Sequence, residues 1–397
     1  MRKLALLVMV VTVLVGAVGC GSDSDDEPKV DLSQLDVGNY PTKPQDLGKA
    51  KDLNQARLID ATRLAGYMPL PVEIDSSLRF KPPGSAVRIF TDPESPALDG
   101  RAVIYRDLFQ QDAKGFLFGF TSSGMSDRVT NLATQLDTVV MVFSDNASAT
   151  AAAHALGERE RARDPANELI SLTKYPEALT YWRPDYASMR SWFATGPFVV
   201  FNFIWDRAGQ ETGFSDRTVL TTLAEKSLDI VPGRLKAFEP TPPDKWAEVP
   251  ADLDGMLGRA VPAANDETNR VGVPAVYDGH SGLHITDQPG ADRQLFTELG
   301  VDRVAFNGGF LYRTKDVAAA RRLVAAHADV GKLFRPTDPP KGLPQAKCTE
   351  YHGLRQAKVR FYCNISVGRY AAEISANQRA DAYQRISAQY ALLANSN

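Results

Sequence analysis

Apolar and polar positions alternate in two recognisable patterns, and the two patterns occur twice. Tyr383, Ile386, Tyr390 and Leu393 step by 3, 4 and 3, which lays one apolar stripe along a helix. Leu220, Leu223, Ser227 and Ile230 step the same way, with a serine interrupting the stripe. Ahead of each helix lies a strand–glycine–strand pattern. Ser191–Thr195 turns at Gly196 into Phe198–Ile204, and Phe361–Val367 turns at Gly368 into Arg369–Ile374. Each glycine stands where a tight turn needs a residue free of Cβ strain.

The earlier parts of the two segments also match. Thr138–Phe143 reads as a strand and is followed by an alanine-rich helical stretch, Ala149–Leu156. Arg303–Phe306 and Phe310–Tyr312 read as strands and are followed by Val317–Ala328. Gly124–Arg128 and Gly290–Arg293 are aligned as the lead-ins. The pattern predicts an α+β fold of two similar halves, each an antiparallel sheet with helices packed on one face, related by internal duplication. The first half should carry a longer loop near Asp206–Gly213.

Between the halves, Glu239-Pro240-Thr241-Pro242-Pro243-Asp244 reads as a stiff linker. An N-terminal domain is expected over 46–238 and a C-terminal one over 251–397. A first helix is predicted over Asp52–Gly66, broken by Tyr67-Met68-Pro69-Leu70-Pro71.

The N-terminus has a different pattern. Arg2-Lys3 precedes an apolar stretch, Leu4–Val18, that ends in Gly19-Cys20. A transmembrane helix needs about 20 apolar residues, more than this stretch holds. A charged start, a short apolar core and small residues before a cysteine read as a lipoprotein signal over 1–19. Lipidation of Cys20 would anchor the chain to the bilayer, with two acyl chains enough for stable attachment. The polar, acidic Gly21–Pro28 run begins a flexible tether, assigned to 20–45. The expected location is the outer face of the cytoplasmic membrane.

Composition adds limits. Apolar residues make up 44% of the chain, enough for a real core. The net charge of −3 becomes −5 once Arg2 and Lys3 leave with the signal. No basic stripe is present, so nucleic acid is not an expected partner. With Cys20 lipidated, Cys348 and Cys363 form an even pair in an oxidising compartment, and a disulfide on neighbouring strands is expected.

Candidate chemistry is sparse. Ser171-Leu172-Thr173-Lys174 and Ser144-Asp145-Asn146 match two motifs of penicillin-recognising enzymes, but in the wrong order and without Lys-Thr-Gly. Asp145 or Asn146 reads better as a helix N-cap. Gly279-His280-Ser281-Gly282-Leu283 lacks the last glycine of a nucleophile elbow. Asp278, His280, His284 and Asp287 are the densest set of metal-ligand types, with no recognised zinc spacing. They read as solvated loop residues, and His154, His327 and His352 as solvated helix or turn positions. No catalytic residue, metal or cofactor is assigned. Tyr181, Trp182, Trp192 and Trp205 cluster in sequence. Core packing accounts for them, or alternatively a site for a glycan, lipid or protein.

The signal, the segment Asp31–Pro44 and Gly66-Tyr67-Met68-Pro69-Leu70-Pro71 resemble a family of uncharacterised lipoproteins from mycolic-acid actinobacteria. In that family a domain of unknown function is followed by its own C-terminal domain. The resemblance implies no activity and no site residues. At the level of fold, the disulfide-bearing halves are also similar to the extracellular sensor domain of PknH-type kinases. The expected function is an envelope lipoprotein that binds a ligand or protein without catalysis. The alternatives are a lipid carrier, marked by a large apolar cavity, and a hydrolase of envelope polymers, marked by convergent carboxylates or histidines.

Overall fold

The computed structural model describes residues 30–83, 87–98, 101, 106–263, 272–286, 288–329, 331–353 and 359–396. Residues 1–19, read above as a signal, and Cys20 and Asp287 lie outside these residues. In the N-terminal half, helix α1 (Leu53–Ala65) and a single turn α2 (Pro71–Ile74) come first. They are followed by β1 (Ile89–Phe90), α3 (Arg106–Asp112), β2 (Phe116–Met125), β3 (Thr134–Phe143) and α4 (Asn146–Ala162). Then come β4 (Glu168–Ile170), β5 (Leu179–Arg183), β6 (Ser188–Thr195), β7 (Phe198–Asp206), α5 (Arg207–Thr212) and α6 (Arg217–Leu235).

The C-terminal half runs β8 (Ala275–Asp278), α7 (Pro289–Leu299), β9 (Arg303–Phe306), β10 (Phe310–Arg313) and α8 (Val317–Ala328). It ends with β11 (Phe334–Thr337), β12 (Lys347–Tyr351), β13 (Phe361–Val367), β14 (Tyr370–Ala376) and α9 (Arg379–Ala394).

Among the described residues the strands form two seven-stranded antiparallel sheets. Their orders are β1-β2-β3-β7-β6-β5-β4 and β8-β9-β10-β14-β13-β12-β11, the same path in both halves. The fold is α+β with two similar halves. Gly196 and Gly368 turn the corresponding hairpins at φ of 56° and 53°. Helix α5 is the extra loop of the first half. The lead-in alignment does not hold: Gly124 ends β2, whereas Gly290–Arg293 opens α7. By sheet position, β9 and β10 correspond to β2 and β3.

Helices cover both faces of each sheet rather than one. On β3, Val139, Met141 and Phe143 face a core with α4, while Leu136, Val140 and Val142 face a core with α1 and α6. Nine consecutive residues of β3 are buried, the mark of a strand covered on both sides. In the second sheet Val304, Tyr312 and Ala371 face α7 and α8, while Leu311, Ile365 and Ile374 face α9. The α1/α6 side of the first sheet and the α7/α8 side of the second share one apolar core. The serine in the α6 stripe fits this packing. Ser227 donates to Asn202 Oδ1 of β7 at 2.8 Å, so its buried hydroxyl is satisfied.

Residues 30–45 are not free tether. Leu35 is buried in the core beneath α9, with Val30, Leu32, Val37 and Tyr40 packed around it. The Tyr40 hydroxyl donates to Asp381 at 2.5 Å, and Asn395 Nδ2 donates to the Thr42 carbonyl at 2.8 Å. The physical reason is the apolar spacing of this segment, which the acidic run before it lacks. It forms a strap on α9, and together with residues 256–261, which hydrogen-bond to Gln389, it leaves Arg385–Leu393 buried.

The bridge between Cys348 and Cys363 is present, on residues directly opposed across β12 and β13.

Candidate functional site

The linker closes back onto the first helix. Asp52 caps α1 by accepting from Gln55 N–H at 2.8 Å. Just before it, Ala50 N–H donates to the Val249 carbonyl at 2.8 Å, and Ala251 N–H donates to Gly48 at 2.9 Å. Trp246 is buried against Ala56 and Val249. Further along α1, the buried Asp60 carboxylate accepts from Thr241 N–H at 2.8 Å and from its hydroxyl at 2.7 Å. Arg63 pairs with Asp60 at 2.5 Å and reaches the Glu239 carbonyl at 3.2 Å. The proline-rich linker therefore runs pinned alongside α1.

Between this pair and the edge strand β8 opens a cleft of about 650 Å³. Its apolar lining includes the half-buried Leu58, Ile59, Val273 and Val276, with Val249 and Leu257. The volume falls in the range of small-molecule sites, about 300–1,000 Å³. Its carboxylates are engaged structurally. Asp52 caps α1, and Asp252 accepts from Leu257 N–H at 2.9 Å and Gly258 N–H at 2.8 Å. Arg63 is held by Asp60, and Asn54 Oδ1 accepts from the Thr91 hydroxyl at 2.6 Å. The Lys51 ammonium has no ion-pair partner among the described residues.

The residues singled out by sequence lie elsewhere. Tyr181 and Trp192 are buried under α4, and Trp182 is buried on the opposite face of the sheet. Alternation along β5 and β6 sends them into two cores, so no aromatic groove forms from these three. Trp205 is partly exposed, with the Arg207 guanidinium 3.6 Å from its ring centroid and its Nε1 donating to Gln210 at 2.8 Å.

Asp145 is the N-cap of α4, accepting from Ser148 N–H at 2.8 Å, and Lys174 pairs on the surface with Asp229 at 2.7 Å. Ser281 is buried, and its N–H donates to Asp278 at 2.7 Å. Gly279 is required by close approach: a β carbon there would sit 1.9 Å from the Val301 carbonyl oxygen. Among the described residues no group of three or more His, Cys, Asp or Glu side chains is arranged to hold a metal ion.

Two histidines expected in solvent are drawn into the packing, His284 buried and His327 half-buried, and no local pattern announces either. His284 sits at the junction of the halves, 3.3 Å from the Ser122 hydroxyl. Burial, with the charges of His280 and Arg88, pushes its imidazole down to about 3. Beside it, His280 lies 3.2 Å from Glu73. Burial pushes the Glu73 carboxyl up, but hydrogen bonds from His280 and the Leu70 N–H, with the Arg234 charge, outweigh it and hold it at about 2.

His327 lies with each ring nitrogen 3.3 Å from a carboxylate, Asp292 and Glu373. Burial opposes its charge, but the two carboxylates outweigh it and hold the imidazole up at about 10. This sets a pH dependence. A histidine raised from about 6.5 contributes stability fully below 6.5 and loses it as pH rises toward 10. His327→Gln is expected to lower the melting temperature most near pH 6 and hardly at all above pH 10, read by thermal unfolding across pH. A constant difference across that range would refute it. His284 acts oppositely, its contribution present above 6.5 and lost as pH falls toward 3.

A solved structure similar to part of this chain is the extracellular domain of PknH from Mycobacterium tuberculosis. It matches at 12% identity with a TM-score of 0.31, covering 44% of this chain and 96% of that one. No curated protein matches the chain. Residues 47–251 match the N-terminal model, and residues 256–396 the C-terminal model, of a domain of unknown function named DUF7373. The two models meet between residues 251 and 256, where Asp252 and Leu253 line the cleft, and together they place this chain in the DUF7373 family.

Proposed function

We propose that the protein is an exported, lipid-anchored envelope protein that binds an amphiphilic small molecule in the cleft between α1, the linker and β8. The observation that carries this reading is the cleft itself: apolar side chains line it, and its carboxylates already hold backbone N–H groups. Such a lining favours burial of an apolar ligand body over acid–base or nucleophilic chemistry, which needs a polar group free to act.

The test is titration with the fluorescent fatty acid cis-parinaric acid. Saturable binding is expected for the wild type. Ile59→Trp, which fills the cleft, is expected to abolish it without lowering the melting temperature. Equal binding by wild type and a folded Ile59→Trp protein would sink the cleft as the site.

The anchor rests on the sequence around Cys20. No helix among the described residues is long and apolar enough to cross a membrane. Val30, the first residue of the strap on α9, stands ten positions after Cys20. Full extension at about 3.3–3.6 Å per residue gives a reach of about 36 Å. Anchoring would therefore hold the C-terminal half close to the bilayer. Cys20→Ser is expected to remove palmitate incorporation and release the protein from the membrane fraction. A variant that fractionates and migrates like wild type would overturn the anchor. The shared strand order also supports an origin of the two halves by duplication.

A further inference from the structure

We infer that a second groove, on another side of the junction between the halves, binds a phosphate group. It has a volume of about 960 Å³ and shares no lining residue with the α1–linker–β8 cleft. Arg79, Lys81 and Arg128 come from the N-terminal half, and Arg293 and Lys332 from the C-terminal half. One carboxylate, Asp329, is among the lining residues. On a chain whose net charge is −3, five cations in one groove are a local reversal of sign.

Three of these cations, Arg79, Arg128 and Lys332, leave charge uncompensated. Arg293 lies 3.6 Å from Glu73, and the Lys81 ammonium donates to the Ile285 carbonyl at 3.2 Å. Arg79 Nε donates to the Ser76 carbonyl at 2.8 Å, and the Arg128 guanidinium sits 5.3 Å from the Phe80 ring centroid. Among the described residues Arg79, Arg128 and Lys332 have no carboxylate within ion-pair distance. Like charges gathered in a concave wall raise the local potential, and an anion entering the groove relieves it.

Several cations around one groove match a group with several charged oxygens. Guanidinium forks suit phosphate in particular, and ammonium groups add point charge. The start of α7 at Pro289 adds a smaller field of the same sign. Phe80, Leu333 and Phe334 supply an apolar wall beside the cations, and Leu333 is 52% exposed. That wall suits a phosphate carried by an acyl chain, while the cations alone suit a free phosphate ester. The shared chemistry is the phosphate group.

The experiment is calorimetric titration of the full chain with dihexanoyl phosphatidate, glycerol phosphate and dihexanoyl phosphatidylcholine, each below micelle formation. Saturable binding of a phosphate probe is expected, weakening as salt rises through the physiological range. Arg128→Glu with Lys332→Glu is expected to weaken it by roughly tenfold or more. Both positions are exposed, so the melting temperature should change little, and Lys332→Glu alone serves as a milder variant. Tighter binding of phosphatidate assigns the group to a lipid headgroup. Equal binding of glycerol phosphate assigns it to a free ester. The inference is overturned if neither phosphate probe binds, if the charge-reversed protein binds as wild type does, or if the choline lipid binds as tightly as phosphatidate.

Discussion

Replacing Cys348 and Cys363 together by alanine, or reducing the bridge, is expected to destabilise the C-terminal half by about 3 kcal/mol. The estimate comes from the loop the bridge closes, a sequence separation of 15 residues, which limits the unfolded chain. Native stabilities run from about 5 to 15 kcal/mol, so the loss is a large share. Location adds to it. Cys363 is fully buried on the face of β13 that meets α9, among Leu311, Ile365 and Ile374. The same core holds Leu35 of the strap. Loosening β12 from β13 should therefore also expose residues 30–45, which protease cleavage at the strap would report. The N-terminal sheet has its own core under α4 and should respond less. Unchanged melting on reduction, with two titratable thiols, would contradict this account.

Local pattern revealed the repeated elements because their signals are local. The hairpins at Gly196 and Gly368, the two terminal helices, the capped α4 and the cysteine pair each depend on residues close in sequence. The cleft did not show, although α1 and the linker were both recognisable. Asp60 and Thr241 are 181 positions apart, and nothing in either segment announces the other. The strap was hidden for a similar reason. Val30, Leu32, Leu35 and Val37 span no more than a single 3-10 turn, and their burial depends on contacts with α9, far along the chain. His284 and His327 show the same limit. His327 sits on an alanine-rich helix that looks solvated until Asp292 and Glu373 arrive from α7 and β14. The second covered face of each sheet follows from how the halves stack, which one-dimensional alternation does not encode.

Trp192→Ala is expected to have a still larger effect on stability, and it decides what the aromatic cluster does. Trp192 is 1% exposed and lies 4.3 Å, centroid to centroid, from Phe201. Its Nε1 donates to the buried Glu160 at 3.0 Å, and Glu160 also lies 3.3 Å from the Arg190 guanidinium. Truncation removes a large buried ring beneath α4, a change that costs about 3–5 kcal/mol. It also takes a donor from a buried carboxylate, a further loss of about 1–3 kcal/mol where nothing replaces it. Trp192→Phe separates the two contributions, because it keeps most of the volume and loses only the donor. Trp205→Ala is the contrast. Its ring is partly exposed at the edge of the core and carries the Arg207 guanidinium on its face, so a smaller loss is expected, of which the cation–π contact is about 0.5–1 kcal/mol. Urea unfolding should rank the variants Trp192→Ala, Trp192→Phe, Trp205→Ala in decreasing damage. A Trp192→Ala protein as stable as wild type, with ligand binding lost, would reverse the assignment: the ring would then serve a ligand and not the core.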